Sequence, residues 1–235
     1  MPAEGSGRHE PGGRVRPSRI YSLIVGLVFI AVIAVATVNT LNSEGGDVLG
    51  SRDEGDLPLA QFAVPDARGE LSGDANLAQD DCGVSEIPCP SEERRTPACE
   101  IDLKGAITVC ELFDRPLVLS FWFTRGGECE AQQDAFESVF RRFRQRVNFL
   151  AINVRDERDE VRALISERGW THPIGLDPDG ALSNLYRIGG CPSFLYAYPG
   201  GILQSTSIGE LDRSELSGRV AELIAASRRR AAESR

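Results

Sequence analysis

Ser120-Phe-Trp-Phe-Thr-Arg-Gly-Gly-Glu-Cys129-Glu-Ala-Gln-Gln133 is the stretch from which the chain is read. It closes an apolar run, Leu117–Phe123, of the kind expected for a strand buried on both faces. A polar turn with two glycines follows, and then a cysteine entering a helix. A cysteine in a first helical turn meets unpaired N–H groups and the positive end of the helix dipole, both of which favour its thiolate. The residue three positions earlier is Gly126, preceded by Arg125.

Outward from this stretch the pattern alternates. Phe136, Val139, Phe140 and Phe143 recur at helical spacing, and Cys129, seven residues before Phe136, falls on the same inward face. Val147–Val154 predicts a second core strand, and Val161, Leu164 and Ile165 a second helix stopped by Gly169. His172 precedes Pro173 at the start of a strand and is expected to be a surface or packing residue rather than a catalyst. Asp177-Pro-Asp-Gly180 is a turn signal, with a short helix expected over Ala181–Tyr186. Phe194–Tyr198 and Ile202–Ile208 are spaced as a hairpin through Pro199-Gly200-Gly201. A last helix begins near Asp212, where Asp212 and Glu215 have capping-box spacing, and buries Leu216, Val220, Leu223 and Ile224. The order β-α-β-α-β-β-α implies an α/β domain with a central mixed sheet and helices on both faces.

The formal net charge of -9 argues against nucleic acid as a partner, since phosphate neutralisation needs clustered Lys and Arg. Ile20–Leu41 carries no charged side chain and as a helix would span roughly 33 Å, a bilayer core. Arg8, Arg14, Arg16 and Arg19 precede it against Glu4 and Glu10, so the positive-inside rule keeps residues 1–19 cytoplasmic and exports the rest. The expectation is a single-pass signal anchor at 20–41. The rival is a cleaved signal peptide ending near Ala34-Val35-Ala36. Residues 42–81, rich in Gly, Ser and acid, read as a flexible linker, with Leu57–Val64 lying along the domain surface. Residues 82–110 form a Cys-rich extension, and 227–235 a basic tail.

In an exported domain six cysteines favour disulfides. Cys82–Cys89 and Cys99–Cys110 are natural local staples. Zinc held by the same four is the disfavoured alternative, because no paired Cys-x-x-Cys is present. No Gly-rich phosphate loop and no other cofactor signature is found. The acidic run Asp156, Glu157, Asp159 and Glu160 is accounted for by a helix N-terminus and solvation.

Taken in order, a further set of motifs resembles the TlpA/ResA-like, membrane-anchored thiol–disulfide oxidoreductases of the thioredoxin-like fold, over about residues 103–226. They are Gly105, Leu112, Arg115-Pro116 leading to Phe121-Trp122, Cys129, Asp177-x-Asp179-Gly180, Tyr186-Arg-Ile-Gly, Pro192, Phe194, Gly201-Ile202 and Gly209. The resemblance implies a three-layer sandwich, Cys129 at the second active-site position, and Pro192 as the cis-proline facing it. Four positions depart from that family's pattern. Gly126 stands for the attacking cysteine, Arg125 for a tryptophan, Asp134 for the helix proline, and Cys191 for the small residue before the cis-proline.

The resemblance also implies that Cys129 and Cys191 lie close together. The sharper expectation is therefore a relocated redox pair, with Cys129 the principal thiol and Cys191 its partner, acting on protein thiols or disulfides. Gly126 would open a path to Cys129, and Arg125 would favour its thiolate. Trp122 and Pro192 would shape the site. The alternative is a redox-inactive binding or scaffold module in which Cys129–Cys191 is a permanent staple. A third reading, a peroxiredoxin-like thiol peroxidase, rests on Thr124 before a single cysteine.

Overall fold

The structure, a computed structural model, describes residues 27–31, 33, 57–71, 97–100, 102–125 and 129–233. The chain divides into two compact units, Met1–Glu44 and Gly45–Arg235. In the first, residues 27–31 and 33 are helical, and Leu27, Val28, Phe29, Ile30 and Ile33 are exposed. Among the described residues no helix is long and apolar enough to cross a membrane, and the rest of the expected 20–41 span lies outside them.

In the second unit the apolar runs become strands and the 3.6-residue patterns become helices. Two short strands, β1 (Ala63–Pro65) and β2 (Ala106–Thr108), pair antiparallel. Then come β3 (Leu117–Trp122), α1 (Cys129–Phe143), β4 (Asn148–Val154), α2 (Arg158–Arg168), β5 (Ile174–Asp177) and α3 (Ala181–Leu185). The hairpin β6 (Ser193–Tyr198) and β7 (Ile202–Ile208) leads into α4 (Arg213–Glu233). The main sheet has the order β5-β4-β3-β6-β7. β3 is parallel to β4 and β4 to β5, while β6 runs antiparallel to both β3 and β7.

Every residue of β3 and β4 is buried, and alternation along them feeds two cores. Val118, Phe149, Ala151, Phe194 and Tyr196 face α1, α2 and α4, meeting Phe136, Val139, Val161, Leu216 and Val220. Phe136 sits edge-on to Phe149 at 5.4 Å, a geometry worth about 0.5–1.5 kcal/mol beyond the area buried. The opposite face, Leu117, Leu119, Phe121, Leu150, Ile152 and Leu195, is covered by Leu182 and Tyr186 and by Leu59, Phe62 and Val64.

Here the structure differs from the expected linker. Residues 57–71 are part of the fold, and Phe62, Ala63 and Val64 are fully buried. The reason is the size of the second face, which the five-residue α3 does not cover alone. The segment is tied down along its length. Leu203 N donates to Leu57 O (2.9 Å), Leu59 N to Gly201 O (2.8 Å), and Ala67 N to Ile174 O (2.9 Å). Arg158 and Arg162 donate to its carbonyls at Asp66, Ala67, Gly69 and Leu71. A Cβ on Gly175 would run into the Val64 side chain, so β5 and β1 approach closely only because residue 175 is glycine.

β5, which follows Pro173, adds a fifth strand to the main sheet beyond the expected order β-α-β-α-β-β-α. The last helix also reaches Glu233, so most of the expected tail at 227–235 is helical. Its start follows the expected capping box: Glu215 N donates to Asp212 Oδ1 (2.8 Å), and Asp212 N to Glu215 Oε2 (2.8 Å).

Candidate functional site

The site lies where β3 ends, α1 begins and the loop before β6 returns. β3 delivers Trp122, fully buried and edge-on to Trp170 at 5.5 Å. Its Nε1 has no hydrogen-bond partner among the described residues. Cys129 opens α1 and is 4% exposed, because the α1 face that carries Phe136 and Val139 also carries it inward. The loop before β6 presents Cys191, partly exposed, and the Cys191–Pro192 peptide bond is cis.

Cys129 and Cys191 are joined in a disulfide, with Cα atoms 5.8 Å apart and a sequence separation of 62. That Cα spacing is ordinary for a disulfide. Pro192 O accepts from Gly209 N (2.9 Å), which fixes this loop to the end of β7. Of the two cysteines Cys191 is the more accessible, and the solvent path expected to Cys129 runs past Gly126. Gly126 lies outside the described residues.

Arg125 is also placed differently from expectation. Its side chain is 75% exposed, and its Nε lies 3.9 Å from Asp156 Oδ1, so its charge sits beside a carboxylate. Asp156, expected to be a solvated member of an acidic run, is instead buried. Its carboxylate accepts from Thr124 N (2.7 Å), Thr124 Oγ1 (2.8 Å) and Asn153 Nδ2 (2.7 Å), and its side chain is 1% exposed. It therefore ties the end of the β3 segment to the end of β4. The Thr124 hydroxyl, on which the peroxidase reading leaned, is committed to that carboxylate. In sequence Asp156 is one of four acids in a row of five residues; the signal that separates it is Asn153 three residues earlier at the strand end. Arg155, with φ 62°, makes the turn between them.

Behind Cys129, α1 is clamped by polar groups. Gln132 makes a two-way amide clasp with Leu211, donating from Nε2 to its O and accepting at Oε1 from its N, both 2.8 Å. Gln133 donates to Ser120 Oγ on β3 (3.1 Å). Asp134 accepts from Trp170 Nε1 (2.7 Å) and Arg168 Nη1 (3.0 Å), which gives the residue in the family's proline position a local partner set. Glu137 accepts from Thr171 N (2.8 Å), Thr171 Oγ1 (2.6 Å), His172 N (3.0 Å), His172 Nδ1 (2.8 Å) and Arg141 Nε (2.6 Å).

Burial alone would raise the Glu137 pKa, but these donors outweigh it and hold the carboxyl far below its usual range. His172 is fully buried, and desolvation, opposed by Glu137, lowers its pKa, so the imidazole is neutral. Since a carboxylate only accepts, its Nδ1 carries the proton. His172 is a packing residue, as expected, and lies edge-on to Phe136 at 5.0 Å.

Cys99 and Cys110 form a second disulfide, the expected local staple, with Cα atoms 5.7 Å apart. It borders an open cleft of about 580 Å³ lined by Glu100, Asp102, Lys104 and Glu111. Phe113, three residues on, accepts at its O from Gly200 N (2.8 Å), so this staple belongs to the turn end of the β6–β7 hairpin, away from Cys191. The bond takes up two of the four sulfurs of the zinc alternative. Cys82 and Cys89 lie outside the described residues.

The AhpC/TSA family model matches residues 96–205. The thiol-disulfide oxidoreductase ResA of Oceanobacillus iheyensis is 24% identical over 120 residues, which are 51% of this chain and 62% of that protein. The chain thus spans less than two thirds of that relative's length. A thioredoxin-family thiol:disulfide interchange protein from Chlorobium tepidum superposes with a TM-score of 0.53 at 14% identity, over 74% of this chain and 99% of that one. A DsbF homologue from Corynebacterium diphtheriae gives 0.53 at 12% identity, over 79% and 95%. At these identities the likeness is one of fold, and the fold is thioredoxin-like α/β with a central mixed sheet.

Proposed function

We propose that this chain is a membrane-anchored, extracytoplasmic thiol–disulfide oxidoreductase whose exchange pair is Cys129 and Cys191. The observation that carries the reading is the pairing itself. A cysteine at the N-terminus of a long helix is bonded to a cysteine that immediately precedes a cis-proline, in a chain whose position 126 is glycine. Two supports stand beside it. A helix N-terminus favours the thiolate that exchange releases, and the matched ResA protein is named a thiol-disulfide oxidoreductase. The anchor rests on the uncharged run at 20–41 and the arginines before it. Trp122 and Pro192 belong to the site in this reading, and protein thiols or disulfides are the substrates.

Burial of Cys129 favours a second reading, a permanent staple in a redox-inactive binding or scaffold module. Equilibration of the full chain with glutathione buffers, followed by disulfide mapping, separates the two. An exchange pair titrates reversibly while the protein stays folded, between about -270 and -120 mV, the span of dedicated exchange proteins. A staple stays oxidised until the poise falls below roughly -300 mV or the protein unfolds.

A further inference from the structure

We infer that Cys191 is the sulfur that incoming thiols attack and the one that carries the mixed disulfide, with Cys129 the internal leaving group. This rests on the exchange reading above and reverses the order of roles suggested by position in the sequence. Attack on a disulfide is in line, so the nucleophile needs access to the sulfur it bonds, while the sulfur it displaces needs none. Cys129 is 4% exposed, and Cys191 is partly open. The two glycines just before Cys191 are uncrowded. A Cβ on Gly189 would meet nothing within 4 Å, and one on Gly190 would meet only Ile208 Cγ2, at 3.7 Å.

The leaving group is equally well placed. Cys129 is the first residue of the fifteen-residue α1, where unpaired N–H groups and the dipole stabilise the thiolate that departs. A lower-pKa thiol leaves faster. Cys191 has no such setting, because the residues after it enter β6, a strand without a macrodipole.

The sequence of bonds follows for a partner that is a polypeptide dithiol. Its first thiolate attacks Cys191 Sγ. A partner–Cys191 disulfide forms, the Cys129–Cys191 bond breaks, and the electron pair departs on Cys129 Sγ. The partner's second thiolate then attacks the partner sulfur of the mixed disulfide and expels Cys191 as a thiolate. The partner leaves as a disulfide, having lost two electrons and two protons. Cys129 and Cys191 have gained the two electrons, and the protons pass to them or to solvent. In the reverse direction Cys191 attacks a partner disulfide, and Cys129 resolves the intermediate.

The test uses the full chain in detergent, as wild type, Cys129→Ala and Cys191→Ala. Each is reduced, desalted and mixed with oxidised glutathione under native conditions, and the adducts are mapped by peptide mass spectrometry. Cys129→Ala is expected to take up glutathione at Cys191 at least ten-fold faster than Cys191→Ala takes it up at Cys129. Equal or inverted rates overturn the assignment. Should either variant misfold, acid quenching of the wild type during reduction by glutathione gives the same answer, with the adduct on Cys191 supporting the assignment and on Cys129 refuting it. A wild-type disulfide that glutathione never opens in the folded protein defeats the exchange reading itself, a result distinct from an adduct on the wrong sulfur.

Discussion

Glu137 offers the sharpest test of how the site is supported. It is 6% exposed and gathers five donors from Thr171, His172 and Arg141. In Glu137→Gln one carboxylate oxygen becomes an NH₂ group facing some of those donors, and the charge is lost. If the amide oxygen keeps the Thr171 and His172 backbone N–H groups, Arg141 and the Thr171 hydroxyl lose their acceptor. The opposite orientation orphans the backbone donors and His172 Nδ1. Charge-assisted bonds contribute about 1.5–3 kcal/mol each, and breaking a buried charged network costs about 3–5, so we expect a loss of about 3 kcal/mol at pH 7.

The pH dependence carries the mechanism. The folded-state pKa of Glu137 is depressed, so its stabilisation is present above its ordinary 4.5 and is lost as pH falls below it. His172 is held neutral, so the unfolded chain gains a proton below 6.5 that the folded chain resists, and stability begins to fall there. Urea unfolding of both proteins with disulfides intact, followed by fluorescence of the buried Trp122 and Trp170, measures the difference. The gap between wild type and Glu137→Gln should be widest near pH 7 and shrink below pH 4.5. A gap that stays constant down to pH 3, or that widens, refutes the assignment of an ionised, donor-saturated carboxylate.

Gly175→Ala places a methyl against Val64 and should destabilise by about 1–3 kcal/mol, read as a drop in melting temperature; an unchanged melt would mean that β1 does not pack on β5. Asp156→Asn keeps the shape but weakens the charge-assisted acceptor of Thr124. The amide of Thr124 should then exchange faster with deuterium, while amides in β6 stay protected. Replacing both Cys129 and Cys191 by serine should cost about 4 kcal/mol from the loop of 62 residues, checked by denaturant midpoint.

How far the sequence revealed this molecule depends on the range of each interaction. The β3–Cys129–α1 unit was legible because its signal is local: a continuous apolar strand, a polar turn, and Phe136, Val139 and Phe143 on one stripe. The capping box at Asp212 was legible for the same reason. The role of Leu57–Ala67 was not, since nothing within the segment announces that a sheet face more than fifty residues later needs cover. Its acidic and glycine-rich flanks made it look like spacer. Glu137 was hidden on the border of an amphipathic stripe, where a carboxylate usually meets water. Its partners at Thr171 and His172 are 34 and 35 residues away. Asp156 was masked by the acids around it. For the cysteine pair, proximity came only through resemblance, and the difference in accessibility between the two sulfurs is a property of packing that spacing does not encode.

The way residues 57–59 join the sheet has a geometric consequence. They are hydrogen-bonded beside Gly201 and Leu203, where the β6–β7 hairpin turns, whereas Cys191 lies at the other end of the same hairpin, before Ser193. Six residues of β6 separate the two, roughly 20 Å of strand. Residues 57–59 and the Cys99–Cys110 staple therefore share one end of the hairpin, and the Cys129–Cys191 pair has the other end to itself among the described disulfides.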